Sequence, residues 1–545
     1  MSTVPDVAWY AVMVVGIGAS VGVVYLLSRP RGRWGRLARK RLVLGVPWGT
    51  LIAVGTVIAV YLFLQDGLTD PRDPVVIPFR AWSYTYPLGF LASGFAHSSL
   101  GHITGNLLSA LVFGSLAEYA WSHYPEKRGS QAFSSLGSNP FARIVGFAVG
   151  VFAVSIFTGM FALGPVIGFS GTVFAFVGFA LVRFPLATIV ATLFTSVVRL
   201  LYNTVRNPEI AVVVGETTVG RPWWAGTALQ GHAIGLFAGV VLGVVLLYRR
   251  DVRPSPEHIW LAALIFAVDR GMWAVYLIEG SGEYRLFRAL GVALVFVLAA
   301  VVAGSAVASA RTLIHRIDLS RREAAFGVAV SILLALSLVA VPFNLFVVDD
   351  PTAGLEDAQP TDVGDYTVFY ATDVPNQFVP AVPMPGGNTT DDRVRASGVI
   401  VVSEQRNIWW EEVSTTELRV NRQETIRLGG VGWSETVHAS RTTWTVAGGN
   451  TTYNVQLGTD EEISVVHRAE PARADAMIDG RNVTIAPVDD RFEIRVTRDN
   501  ETLGVTPIPE EDVRLAAGGI VFERDGSVVV ATRDETEIRI ASRSG

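Results

Sequence analysis

Apolar runs of membrane-spanning length recur from residue 8 to residue 348 and then stop. In hydrocarbon every backbone polar group needs an internal partner, so runs of this kind read as membrane helices. Ten helices are expected, the one at 170–183 shorter than the rest: 8–28, 42–64, 102–121, 143–163, 170–183, 186–205, 229–248, 257–278, 288–310 and 325–348. The remaining 197 residues are polar, with alternating apolar positions in Gly398–Val402, Thr425–Leu428, Thr442–Val446, Arg491–Val496 and Ser527–Ala531. Such alternation, punctuated by Gly, Asn and Asp, predicts β-strands. The expected fold is a polytopic α-helical membrane protein with a C-terminal all-β domain, a sandwich or two.

Charge divides the chain at the same place. From Asp349 on there are 34 acidic and 18 basic residues, net −16, against net +11 before it. Only Lys40 and Lys127 are lysines among 44 basic residues, and an acidic, arginine-rich exposed part points to a high-salt organism. There is no cysteine, which excludes disulfides, a thiol nucleophile and thiolate metal sites. The cluster Arg29, Arg31, Arg33, Arg36, Arg39, Lys40 and Arg41 marks a cytoplasmic loop. In a tight loop between membrane helices it is no nucleic-acid patch. The stretch before residue 8 lacks a basic start, so the first helix is expected to be retained.

Fixing that loop inside places both termini outside. Residues 65–101 become an outer loop, with Trp82, Tyr84 and Tyr86 suited to the membrane interface, and Trp223-Trp224 another interface anchor. The tail falls outside as well, where four glycosylation sequons begin at Asn388, Asn450, Asn482 and Asn500.

The chemistry concentrates at Gly164-Pro165-Val166-Ile167-Gly168-Phe169-Ser170-Gly171. Its glycines and proline interrupt helix, and only 13 residues separate Ser170 from Arg183, a rise of about 20 Å. Against a hydrocarbon core of roughly 30 Å, Ser170 then lies about 10 Å below the outer face. Counting back from Arg249 gives His232 a similar depth. A hydroxyl and an imidazole opening neighbouring helices at one depth read as a nucleophile and its general base. Gly235 and Gly239, four apart, let that helix approach another closely, and Gly171, Ala175 and Gly178 offer small residues in return. His102 and Asn106 share a helix face and could bind an oxyanion together with the Ser170 backbone N–H. No lysine or arginine is expected near this site. Metal binding by His97, His102 and His232 is disfavoured, because no H-E-x-x-H and no nearby carboxylates accompany them, so no metal and no cofactor are expected. Asp269 and Arg270 would lie mid-helix as charges facing the bundle.

These residues resemble the rhomboid family of intramembrane serine proteases. Gly168-Phe169-Ser170-Gly171 looks like the family's G-x-S-G. His232 with Gly235 and Gly239 looks like H-x-x-G-x-x-x-G, and His102 with Asn106 like H-x-x-x-N. His97, Gly114 and Glu118 also match, and Phe174 stands where the family packs an aromatic ring on the catalytic histidine. The resemblance covers 42–248. It departs at Arg80-Ala81-Trp82-Ser83, where the family's Trp-Arg pair is not evident, and at Gly231, where Ala is common. The resemblance implies a catalytic core at 42–250; the extra helix and basic loop at 1–41, three added helices at 251–348 and the β-rich part at 349–545 lie outside it. It also implies a cofactor-free endopeptidase that cuts single-span membrane proteins near the outer face, beside a small residue, in the lipid bilayer. A catalytically inactive relative that binds membrane helices would be expected to lack Ser170 or His232. A transporter would be expected to show internal repeats and charged midplane helices. A ligand for the tail is not indicated.

Overall fold

The computed structural model describes residues 6–28, 32–124, 129–206, 227–279, 283–345, 350–377 and 395–543. Trp223-Trp224 and Asn388 lie outside the described residues. The helices are α1 (Asp6–Ser28), α2 (Arg33–Arg39), α3 (Trp48–Ala59), α4 (Pro87–Ser93), α5 (Leu100–Ser109), α6 (Ser115–Trp121) and α7 (Pro140–Phe161). They continue with α8 (Ser170–Arg183), α9 (Pro185–Arg206), α10 (Leu229–Arg249), α11 (Pro256–Asp269), α12 (Arg288–Val307) and α13 (Arg321–Asn344). π-turns at Val60–Leu64 and Ala110–Gly114 extend α3 and join α5 to α6. Among the described residues, seven helices are long and apolar enough to cross a membrane: α1, joined α5–α6, α7, α9, α10, α12 and α13. Together with the rhomboid-like sequence signals this makes the protein a multi-pass helical membrane protein.

The other three of the ten expected segments fall below that length, α8 with its expected bounds 170–183 and the other two shorter than expected. The α3 segment Trp48–Leu64 and α8 are apolar but brief. α11 stops after 14 residues rather than reaching residue 278. Gly271 there takes φ +65, and the chain turns into a hairpin of β1 (Tyr276–Glu279) and β2 (Glu283–Leu286). Asp269 and Arg270 therefore close the helix and do not lie mid-helix.

α8 is the centre of the bundle. All of its residues except Ser170, Phe179 and Arg183 are buried. It is apolar all round because protein, not lipid, surrounds it, and such surroundings are what non-helical backbone at membrane depth requires. Its closest neighbour is α10. A Cβ on Gly239 would lie 2.7 Å from the Ala175 carbonyl carbon, and one on Gly178 would lie 2.9 Å from the Val240 nitrogen. Only glycine lets these backbones meet.

Glu118 works at the opposite end of the bundle from Ser170. Its buried carboxylate accepts the Gly49 and Thr50 N–H groups at 2.8 and 2.7 Å and the Thr50 hydroxyl at 2.8 Å. These are orphan donors at the α3 start, capped by a side chain from another helix. His123 Nδ1 accepts the Val43 N–H at 2.9 Å, so its Nε2 carries the proton donated to Glu118 at 2.7 Å. Glu118 thus ties α3 to α6 and is not part of the site around Ser170.

The tail contains β5 (Thr361–Val363), β6 (Tyr366–Pro375), β7 (Arg395–Ser403), β8 (Ile408–Ser414), helix α14 (Thr415–Asn421), β9 (Gln423–Gly430), β10 (Trp433–Val446), β11 (Thr451–Gly458) and β12 (Ile463–Arg468). β13 (Ala472–Ile478), β14 (Arg481–Val488), β15 (Arg491–Arg498), β16 (Glu501–Pro507), β17 (Arg514–Ala517), β18 (Ile520–Asp525), β19 (Val528–Arg533) and β20 (Thr536–Arg543) follow. A short hairpin, β3 (Thr312–Ile314) with β4 (Leu319–Ser320), precedes α13. All ladders between these strands are antiparallel. The long β10 belongs to two packed layers. Its first part pairs β9 and β11 over a core shared with β6–β8, and its last three residues pair β20 over a core shared with β13–β15. α14 departs from an all-β tail. Asn450 and Asn500 are exposed at turns, whereas Asn482 is half-buried in β14 with its side-chain oxygen taken by Arg473.

The tail docks on residues 65–86. Ile77 and Trp82 are buried in one core with Val368, Val401 and Leu428, and the Trp82 ring meets Trp410 edge-on at 5.5 Å. Trp82 is therefore no interfacial aromatic: it is 1% exposed, with its indole N–H donated to the Ile77 carbonyl at 2.7 Å. Around this apolar contact Arg427 bonds Asp66, and Arg406 bonds Asp365 while donating to the Tyr86 hydroxyl at 2.9 Å. Burial pushes the Asp365 carboxyl up, but the hydrogen bonds and charge of Arg406, with Ser403, leave it below its ordinary value. A depressed carboxyl stabilises above its unfolded pKa of about 3.9 and loses that contribution as pH falls through the lower folded value. The docked tail should accordingly become more protease-sensitive below about pH 4. The Asp365→Asn variant should already be sensitive at pH 7 and change less on acidification, and identical profiles for the two proteins would refute this role.

Candidate active site

Ser170 opens α8, and the bond it makes defines the site. His232 Nε2 lies 2.9 Å from Ser170 Oγ, close enough to accept the hydroxyl proton. Nδ1 then carries the ring proton, is buried, and finds no hydrogen-bond partner among the described residues. No carboxylate among the described residues orients this imidazole. An aromatic ring does: Phe174, one turn into α8, stacks on His232 at 4.2 Å with 9° between the planes. Such a face also favours the imidazolium that forms when the base takes a proton.

The start of α10 is held by Gln230, two residues before His232. Its amide donates to the Phe161 carbonyl at 2.9 Å and the Leu336 carbonyl at 2.7 Å, and accepts the Leu163 N–H at 2.8 Å. α7, α10 and α13 are thereby joined at one point. Asn344 adds a second tie, donating to the Met160 and Ala162 carbonyls at 3.0 and 3.1 Å.

The loop before Ser170 depends on Gly168, whose φ of +124 suits glycine alone and whose Cβ would strike the His102 ring. Its N–H donates to the Ser93 carbonyl at 2.8 Å. The loop also meets residues 80–81: the Ala81 N–H donates to the Val166 carbonyl at 3.1 Å, and Arg80 donates to the Pro165 carbonyl at 3.3 Å. An arginine thus does approach the site, contrary to expectation. The same Arg80 guanidinium lies 5.7 Å from the Trp410 ring, so the tail, residues 80–86 and the serine loop form one continuous stack.

His102 and Asn106 stand on α5 beside that loop. Ser99 caps α5 by accepting the His102 N–H at 3.2 Å. His102 Nδ1 pairs with Ser98 Oγ at 3.0 Å, leaving Nε2 toward Gly168. Asn106 is oriented by His97, whose Nδ1 faces the Phe95 carbonyl at 3.1 Å and whose Nε2 therefore accepts from the Asn106 amide at 3.0 Å. One Asn106 N–H remains for another acceptor. The buried Gln65 holds His97 in turn, accepting its N–H and donating to its carbonyl, both at 2.7 Å. Sequence reasoning missed Gln65, since a lone glutamine at a helix end carries no motif.

A cavity of about 30 Å³ opens beside Ser170, walled by Ser93, Gly94, Gly159, Ala162, Gly171 and Ala228 among others. That is room for a water molecule or a small side chain. Among the described residues no group of His, Asp and Glu could hold a metal ion. A hydroxyl activated by an imidazole, donors beside it and a small-walled space are what acyl transfer from an amide requires.

Residues 84–249 match the family model for the rhomboid domain, a span that holds Ser170, His232, His102 and Asn106 but leaves out α3. No curated protein and no solved structure matches the chain. Residues 84–249 of the chain are thus a rhomboid domain, with Ser170, His232, His102 and Asn106 inside it.

Proposed function

We propose that the protein is an intramembrane serine endopeptidase that cuts membrane-spanning segments by a Ser170–His232 dyad. The observation that carries this reading is the 2.9 Å contact between Oγ and Nε2 at the starts of two helices packed backbone to backbone. His232 Nε2 takes the hydroxyl proton as Oγ bonds to the scissile carbonyl carbon. Negative charge on the former carbonyl oxygen is met by the Ser170 backbone N–H, His102 and Asn106. Collapse expels the amine, which leaves with the proton held by His232. Water, deprotonated by the same imidazole, then frees the acyl group from Ser170. The inactive-relative and transporter readings have no observation in their favour, since both dyad residues are present and in contact.

The small-walled cavity supports a small residue beside the scissile bond. A regular helix keeps each carbonyl bonded within itself, so the substrate must unwind locally to be attacked. Single-span proteins with Gly or Pro near one end of the span fit that demand. The positive-inside pattern and the packing of the tail beside the serine loop support an external site, with the tail outside the cell. Protease added to intact cells should then trim the tail and spare the helices; full protection would reverse the orientation.

The test of substrate choice uses purified protein in liposomes with a cleaved single-span protein whose helix-weakening residues are replaced by Leu away from the cut site. Cleavage should fall at least about tenfold, since each Gly→Leu or Pro→Leu change stabilises helix by roughly 1–3 kcal/mol. Undiminished cleavage would show that recognition rests elsewhere.

A further inference from the structure

Phe174 orients His232, and one ring packed on Phe174 lies beyond the residues that match the rhomboid domain. The ring behind it is Phe266 of α11, 1% exposed, edge-on to Phe174 at 5.1 Å and 70°. Phe266 also meets Phe113 in the π-turn between α5 and α6, edge-on at 6.1 Å and 80°. Three rings and one imidazole thus form a column from Phe113 through Phe266 and Phe174 to His232. The column matters because no described side chain bonds His232 Nδ1, so beyond Ser170 the Phe174 stack is what sets the plane of the base.

α11 is also fixed in register at this level. Asp269 accepts the Ser196 hydroxyl of α9 at 3.0 Å, and Arg270 donates to Thr195 of α9 at 2.9 Å. The two charges neutralise each other at 3.1 Å. Charges are costly in a membrane and persist where they pair and position something. Here they lock α11 to α9 one turn beyond Phe266, whose carbonyl accepts the Arg270 N–H at 3.0 Å.

We propose that Phe266 is a positioning residue for catalysis: α11, an element outside the rhomboid domain, holds the Phe174–His232 stack in the plane that lets Nε2 take the Ser170 proton. This rests on the dyad reading above. Phe266 touches neither substrate nor the reacting atoms, so its loss should act on kcat and leave KM alone. A displaced base of about 1 Å can cost up to 10²-fold in rate.

The experiment measures kcat and KM for cleavage of a single-span substrate by the full-length protein in liposomes. Variants are Phe266→Ala, Phe266→Leu and Ile259→Ala, the last a fully buried α11 residue in a different core. Phe266→Ala should lower kcat roughly tenfold to 10²-fold with KM within about twofold. Phe266→Leu keeps apolar bulk without the ring edge and should fall between it and wild type; it is also the variant that decides the matter if Phe266→Ala does not fold. Ile259→Ala should lose stability and keep its kcat. Unchanged kcat in the folded Phe266 variants, or an equal loss in Ile259→Ala, would overturn the proposal. Failure of the catalytic reading looks different: wild type would then show no cleavage that depends on Ser170.

Discussion

Ser170→Ala and His232→Ala should each reduce cleavage of a single-span substrate to background, a loss of at least about 10⁴-fold, and the double variant should be no worse than either. The reason is geometric. A hydroxyl is a poor nucleophile until its proton has somewhere to go, and the imidazole 2.9 Å away is the acceptor in place. Removing either partner stops the same step, so their losses cannot add. His102→Ala and Asn106→Ala should cost less, roughly 10-fold to 10³-fold, because each supplies one donor among several to the oxyanion. Additive losses in the Ser170/His232 double variant would mean that the two residues act independently.

Gly235→Val should abolish activity by a different route, through the packing that brings the dyad together. A Cβ at residue 235 would overlap the Gly171 carbonyl oxygen and lie 2.9 Å from its carbon, both rigid backbone atoms of the turn that carries Ser170. Relief requires α10 to back away from α8, drawing His232 off Ser170. Forced overpacking costs about 3 kcal/mol or more where the obstacle cannot move. The variant should unfold at lower temperature and cleave at background rate. Gly146→Ala is the control, since a Cβ there meets nothing within 4 Å. It should be neutral or slightly stabilising, as alanine favours helix over glycine by about 1 kcal/mol. A thermally stable, active Gly235→Val protein would refute the close-packing account.

What the sequence made legible was local or periodic. Long apolar runs gave the helices, alternation gave strands such as β7, β9 and β15, and matching distances from Arg183 and Arg249 put Ser170 and His232 at one depth. What it hid was contact between distant segments. Trp82 reads as an interfacial aromatic because a tryptophan in a loop flanked by membrane helices usually is one; only a partner some 330 residues away, Trp410, buries it. The end of α11 was hidden because residues 272–278 are apolar enough to continue a helix, and Gly271 alone marks the turn. Glu118 could be matched to a motif but not given its work, since a cap supplied by another helix leaves no spacing to read. Gln65, Gln230 and Phe266 likewise carry ordinary residue types whose roles exist only once helices are packed.

The central claim is that His232 makes Ser170 nucleophilic, and a fluorophosphonate tests it without any assumption about substrate. An activated serine oxygen bonds to the reagent's phosphorus as the P–F bond breaks and fluoride leaves, the hydroxyl proton passing to His232, and peptide mass analysis locates the adduct. Wild-type protein in liposomes should carry one adduct, on Ser170, with labelling abolished in Ser170→Ala and slowed at least about 10³-fold in His232→Ala. Labelling of Ser170 at an undiminished rate in His232→Ala, or an absence of adduct on Ser170 in the wild type, would contradict the account.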